Sequence, residues 1–235
     1  MATSDKPLLH IITPVYNEGS NFPAQYKEVK KYIKTPHELI VVYDFKEDDT
    51  VPVVKALQKR DKRLKLRKNT RGRGALNALL SGFDTVRSGP VLVIMADLSD
   101  DLRIVDQMYQ KYLDGYVVVC GSRYMKGGQQ IGGPFLKGLM SRAAGVSLFW
   151  LRRLPTHDIT NNFKMYDKEF LDKITIESQG GFEVAMEITA KAFRAKQKIA
   201  EIPSTWRDRT AGEAQFKLMK WLPSYLRWYF YALLW

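Results

Sequence analysis

Cysteine is almost missing from these 235 residues, with Cys120 standing alone. It lies in the apolar run YVVVCGSR, so it reads as a buried thiol, and without a second cysteine no intramolecular disulfide can form. A reducing, cytosolic setting is therefore expected. Histidine is scarce as well, three residues in all. His10 sits in the first apolar run and reads as core, His37 precedes the second run, and His157 adjoins Asp158. None accompanies a serine or cysteine in a nucleophile motif, and no Cys/His cluster exists, so hydrolase-triad and structural-zinc chemistry have no support. The start, MATSDKPLLHIITP, lacks a basic flank followed by a long apolar core, so no secretory signal is expected. Neither the G-x-x-x-x-G-K-[ST] phosphate loop nor a G-x-G-x-x-G after the first strand occurs, which argues against P-loop and dinucleotide chemistry. Internal repeats, low-complexity tracts and linker-like stretches are absent too, which favours one domain.

Positive charge is in excess. Lys and Arg number 37 against 25 Asp and Glu, a net charge of +12, which points to a polyanionic partner. The densest basic stretch, KALQKRDKRLKLRKNTRGR from Lys55 to Arg73, reads mainly as a solvated helix face and an edge strand. The end of the chain has another character. FKLMKWLPSYLRWYFYALLW sets aromatics and leucines around Lys217, Lys220 and Arg227. Pro223 and Arg227 interrupt it, and it is too short to span a bilayer. Its composition fits a segment lying at a membrane interface, and equally a helix docked on the core or at a subunit contact.

Through the first half, short apolar runs alternate with amphipathic stretches. LLHIITP precedes NFPAQYKEVKKYIK, ELIVVYD precedes TVPVVKALQKRDKR, and LKLRKN precedes GALNALLSGFDTVR. PVLVIMAD precedes DLRIVDQMYQKYLDG, and YVVVCGSR follows. Such alternation implies βαβ units and a largely parallel α/β sheet covered by helices on both faces. Ligands of open sheets bind beyond the carboxyl ends of the strands. Four of those ends carry polar loops: TPVYNE, YDFKEDDT, NTRGRG and ADLSDD. Each alone is ordinary turn chemistry, but four on one sheet edge point to a shared site. The glycines and arginines of RGRGALN, running into a helix, suit a phosphate at the helix N-terminus. The oxygen-only acids of ADLSDD favour Mg²⁺ or Mn²⁺, held with the phosphates of a substrate.

Taken in order, these segments resemble the family 2 glycosyltransferases of GT-A fold, and among them the polyprenol-phosphate (dolichol-phosphate) mannosyltransferases. IITPVYNE is similar to the opening P-x-Y-N-E, and VVYDFKEDDT stands where the family has V-D-D-G-S-x-D-G-T, keeping Asp44, Asp48 and Thr50. RGRGALNALLSGF resembles G-x-G-x-A-x-x-x-G-F, and ADLSDD occupies the D-A-D-L position. GSRYMKGG, LMSRAAG, DITNNFKMY and KIAEIPSTWRDRTAGEAQF match the later loop, acceptor-side helix, D-x-T-S-G-F-R and E-x-P segments. Tyr43, Met95 and the pair Ala214-Gln215 depart from the family pattern, so the chain reads as a divergent bacterial-type member.

The resemblance implies an inverting transfer of a sugar from a nucleotide diphosphate to an acceptor, expected to be a polyprenyl phosphate at a membrane surface. A second version sends the sugar to a glycan hydroxyl. Residues 1–215 would form the GT-A domain and 216–235 an amphipathic, interfacial or oligomer-forming segment. The expected location is cytoplasmic, peripheral on the inner face of the plasma membrane. Pro14, Tyr16, Glu18, Asp44, Arg71, Arg73 and Asp97 would bind the donor. Asp97, with Asp100 second, would hold the metal, while Asp101 reads better as a helix cap. Arg123, Lys137, Ser141, Arg142 and Arg209 would gather around an acceptor phosphate. Asp97, Asp158 and Arg209 carry the expected catalysis, Asp158 as the base a sugar hydroxyl would need. The charge also fits a nucleic-acid-binding module, though no helix-turn-helix, zinc finger or RNA-binding aromatic motif supports it. Met95 further admits a degenerate transferase that binds a nucleotide without turnover.

Overall fold

The computed structural model describes residues 6–208 and 218–234. Its first half alternates as the sequence pattern demands: β1 (Leu9–Val15), α1 (Phe22–Tyr32), β2 (His37–Tyr43), α2 (Thr50–Gln58), β3 (Leu64–Lys68), α3 (Ala75–Phe83) and β4 (Pro90–Val93). A 3₁₀ turn (Leu102–Ile104), α4 (Val105–Leu113) and β5 (Val118–Ser122) follow. The second half adds β6 (Gln129–Ile131), α5 (Phe135–Arg152), β7 (Lys164–Asp167), α6 (Lys168–Lys173), α7 (Val184–Arg194), β8 (Ile199–Pro203), β9 (Thr205–Arg207) and α8 (Leu218–Leu233).

Seven strands form one sheet in the order β3-β2-β1-β4-β7-β5-β8. All neighbours run parallel except β7, which is antiparallel to both β4 and β5. Period-two alternation, with both faces covered, explains why β2 is apolar from Leu39 to Val42. Leu39 and Val41 enter a core shared with α1 and α4, while Ile40 and Val42 enter the opposite core with α3 and α7. Pro23 at the first turn and Lys30–Lys31 at the last suit the two ends of α1.

The run PVLVIMAD is strand only as far as Val93. Beyond it the Gln25 amide donates to the Met95 carbonyl (2.7 Å) and the Met95 N–H donates to Asp100 Oδ2 (2.8 Å), so side chains replace the sheet ladder. His10 is not core: its ring pairs with Glu38 at 2.8 Å near the surface. Cys120 is buried, and burial pushes its thiol up to about 11, as an inert structural cysteine requires. Asp101 caps the 3₁₀ turn by accepting from the Arg103 N–H.

The end of the chain is a docked helix. Trp228 and Ala232 of α8 are buried against Leu148 of α5 and Met186 and Ala190 of α7. Arg227 pairs with Glu177, and the Arg194 guanidinium lies 4.1 Å from the Tyr231 ring centroid. Among the described residues no helix is long and apolar enough to cross a membrane.

Candidate active site

The loops beyond β1, β2 and β3 are stitched to one another. Three successive amides of the first loop donate into the second: Asn17 N–H to Asp48 Oδ2 (3.1 Å), Glu18 N–H to Thr50 Oγ1 (2.9 Å) and Gly19 N–H to Asp49 Oδ1 (2.8 Å). Asp48 is buried and also accepts from the Thr50 N–H (2.8 Å). Asp44 joins the second loop to the third, accepting from Asn69 Nδ2 (2.7 Å) and the Gly74 N–H (2.8 Å). Gly74 adopts φ 122°, which only glycine takes without strain, and α3 begins directly after it. The fourth loop is tied to β9 by the Arg207 N–H donating to Ser99 O (3.1 Å).

This stitched edge opens onto a cavity of about 1740 Å³. Small-molecule sites usually measure about 300–1,000 Å³, so there is room for more than one ligand. Its polar limb is lined by Pro14, Tyr16, Glu18, Asp44, Arg73, Met95, Asp97 and Asp100. Tyr16 meets Phe45 edge-on at 5.5 Å, and the Arg73 guanidinium lies 5.3 Å from the Phe45 ring centroid. The rest of the lining, the apolar limb, includes Leu136, Met140, Ala143 and Ala144 of α5 and Trp221, Leu222, Tyr225 and Leu226 of α8. Arg123, Lys137, Ser141, Thr160, Asn161 and Asn162 lie on the wall of the same cavity.

Several expected residues sit elsewhere. Arg71 is turned onto Asp84 (2.6 and 2.8 Å), outside the cavity wall, because a carboxylate one helix away satisfies its fork. Arg142 is exposed beyond the wall. Arg209 and the terminal motif around Ala214-Gln215 lie outside the described residues. Asp158 is corrected as a general base. It is fully buried and accepts from Arg123 Nε (2.6 Å), Nη2 (2.9 Å) and N–H (3.0 Å), so no proton of an acceptor reaches it. Burial pushes its carboxyl up, yet the Arg123 charge and hydrogen bonds outweigh this and hold it below the usual range. Arg123 is likewise occupied, its fork filled by Asp158, with Nη2 also reaching Ser141 (3.0 Å) and Thr160 (3.1 Å). It orders the wall more than it offers an open cation.

A divalent cation fits here in one mode. Asp97 lines the cavity and accepts from the Ser99 N–H (3.1 Å). Met95 removes a second acid two residues earlier, and Asp100 turns one oxygen back onto the Met95 N–H. Burial, resisted by that bond, raises the Asp100 carboxyl to about 7. Among the described residues no cluster of three or more ligating side chains occurs. The donor set thus suits an open Mg²⁺ or Mn²⁺ site, with one carboxylate and the remaining positions filled by substrate phosphate and water.

Some wall residues were not singled out from the sequence. Thr160, Asn161 and Asn162 lay unremarked inside DITNNF because three small polar residues read as a turn. Trp221 and Tyr225 reach the cavity only because α8 folds back onto α5 and α7.

A parallel sheet whose carboxyl edge gathers acids, an arginine and loop amides around a two-limbed cavity is the architecture of a nucleotide-binding α/β protein. The chain belongs to glycosyl transferase family 2, whose model matches residues 10–175. It is 28% identical over 231 residues, 96% of its length, to a dolichol-phosphate mannosyltransferase of Pyrococcus furiosus, spanning 63% of that relative. To a polyprenol monophosphomannose synthase of Mycolicibacterium smegmatis it is 29% identical over 227 residues, 90% of this chain and 85% of the relative. Its fold is GT-A, as in the glucosyl-3-phosphoglycerate synthase of Mycobacterium tuberculosis. With the UDP complex of that enzyme the TM-score is 0.70 at 14% identity, over 96% of this chain and 80% of the other. That enzyme has also been crystallised with Mn²⁺ and UDP together.

Proposed function

We propose that this chain transfers a sugar, with inversion, from a nucleotide-diphosphate sugar to a polyprenyl phosphate. The observation that carries this reading is one cavity lined both by the polar sheet-edge loops and by apolar side chains of α5 and α8. A nucleotide sugar requires the polar limb alone, whereas the apolar limb between α5 and α8 suits a hydrocarbon chain. The names of the two mannosyltransferase relatives support the same acceptor class.

The polar limb supplies what the donor needs. Tyr16, held edge-on by Phe45, offers an aromatic ring for a base, Asp44 and Glu18 accept from hydroxyls, and Arg73 stands beside the N-terminus of α3 for phosphate. Asp97 would hold the cation, which stabilises the charge developing on the departing diphosphate. An acceptor phosphate is already ionised near neutral pH and needs no base, consistent with the sequestered Asp158. Lys137, Ser141 and Thr160 would orient it.

The membrane contact falls on α5. Phe135, Leu139 and Trp150 recur on one exposed stripe of this 18-residue helix, with Phe135 82% and Trp150 73% exposed. Arg142 and Arg153 are exposed beside it, and α5 contains no acid, a surface suited to an anionic bilayer.

The test offers the purified protein a panel of labelled nucleotide sugars, Mn²⁺ or Mg²⁺, and a polyprenyl phosphate. Label should enter the organic phase. Label found only in polymer, from a membrane extract carrying glycan, overturns the lipid acceptor, and no transfer from any donor overturns the activity.

A further inference from the structure

Lys164 is a charged side chain that the proposed reaction does not use, and it is 0% exposed. It opens β7, paired in the sheet with Val93 on one side and Cys120 on the other. Its Nζ donates to three backbone carbonyls, those of Asp158 (3.2 Å), Ile159 (3.2 Å) and Asn161. Carbonyls only accept, and an ammonium has three hydrogens where a neutral amine has two. The site is thus matched to the cation and to its full donor count.

The turn held in this way carries the acceptor-side wall. Asp158 reaches out of it to fix Arg123, and Thr160, Asn161 and Asn162 line the cavity. The turn has its own bonds, with the Asn161 N–H on Asp158 Oδ1 (3.2 Å) and Asn161 Nδ2 on Gly121 O (2.9 Å). None of them binds the three carbonyls, which Lys164 Nζ reaches instead.

We infer that Lys164 is a positioning residue for the acceptor: its ammonium sets the 158–162 turn so that Thr160, Asn161 and Asn162 present one rigid wall to the acceptor phosphate. This rests on the acceptor reading above. The donor loops are tied together by Asp44, Asp48, Asp49 and Thr50 and take no bond from Lys164. The two halves of the site are therefore separable by substitution.

Lys164→Gln keeps two N–H donors and Lys164→Met keeps none, so the pair grades the loss. With donor saturating, the acceptor KM should rise about three- to tenfold in the Gln variant and more than tenfold in the Met variant. The Kd for the nucleoside diphosphate, read by calorimetry, should stay within twofold in both. If the Met variant does not fold, the Gln variant carries the test alone. Amide hydrogen exchange gives a readout independent of turnover: the Asn161 amide should exchange at least tenfold faster in the Gln variant, with the amides of residues 17–19 unchanged. An unchanged acceptor KM, or nucleotide affinity lost in parallel with it, overturns the inference. If the wild type transfers to no polyprenyl phosphate, the acceptor reading fails. The exchange of Asn161 then decides Lys164 by itself, an unchanged rate refuting it.

Discussion

Replacing Asp158 by Asn isolates the ion pair that holds the acceptor-side wall. The shape is kept and the charge removed, leaving Arg123, whose side chain is only 10% exposed, without a counter-ion. Breaking a buried pair from one side costs about 3–5 kcal/mol, a large share of the roughly 5–15 kcal/mol that stabilises a domain. At about 2–4 °C per kcal/mol for a chain of this size, the melting temperature should fall by roughly 6–20 °C. The double variant Arg123→Met/Asp158→Leu removes both charges of the pair and should recover most of the loss. The pH dependence has a definite sign. The Asp158 carboxyl is depressed in the folded state, so its contribution is present above the unfolded carboxyl pKa of about 3.9 and is lost as pH falls through the folded value. The gap between wild type and Asp158→Asn should stay constant from pH 8 to about 5 and narrow below pH 4. Thermal melts by circular dichroism across that range read it directly. A gap under about 3 °C at pH 7, or one that widens in acid, would refute the account of Arg123 and Asp158.

The other expectations concern the cation, the bilayer and a close approach. Asp97→Ala should lower metal-dependent turnover at least a hundredfold while leaving the fold intact. The Ser99 N–H bond that Asp97 accepts is worth about 1 kcal/mol, or about 2–4 °C in melting temperature; full activity would remove Asp97 from the metal site. Leu139→Asp and Trp150→Glu should each cut sedimentation with phosphatidylglycerol vesicles about tenfold, and unchanged sedimentation would show that α5 does not meet the bilayer. Gly145→Ala places a Cβ 2.0 Å from the His157 carbonyl, so α5 must move off the 157–158 turn. Overpacking of this kind costs about 1–3 kcal/mol, and a denaturant midpoint equal to that of wild type would contradict the packing.

The first half of the fold was legible because its strands are continuous apolar runs and its helices amphipathic, patterns that local periodicity reports. LIVV is buried on both faces and reads as an inner strand. β7 was not legible: KMYD is four residues long, and its antiparallel place between β4 and β5 depends on long-range pairing. The donor loops could be placed on one edge, since parallel strands put every carboxyl end there. Partner choice could not. Arg71 and Arg73 look equivalent in RGRG, yet Asp84, one helix later, captures the first and leaves the second at the cavity.

The acids met the same ambiguity. Asp158 and Asp97 are both strand-end or turn carboxylates in sequence, and burial with Arg123 separates a structural counter-ion from a cavity-lining acid. Pattern along the chain was enough for the α/β alternation, the shared loop edge and the family, and it ranked Asp97 ahead of Asp100 as the candidate metal acid. Long-range contacts, by contrast, dock α8 on the protein, leave an apolar stripe of α5 exposed and set Lys164 on three carbonyls. The reason is physical: periodicity along the chain reports which residues prefer burial, but which neighbour satisfies a charge, or covers a helix face, depends on contacts between residues far apart in sequence.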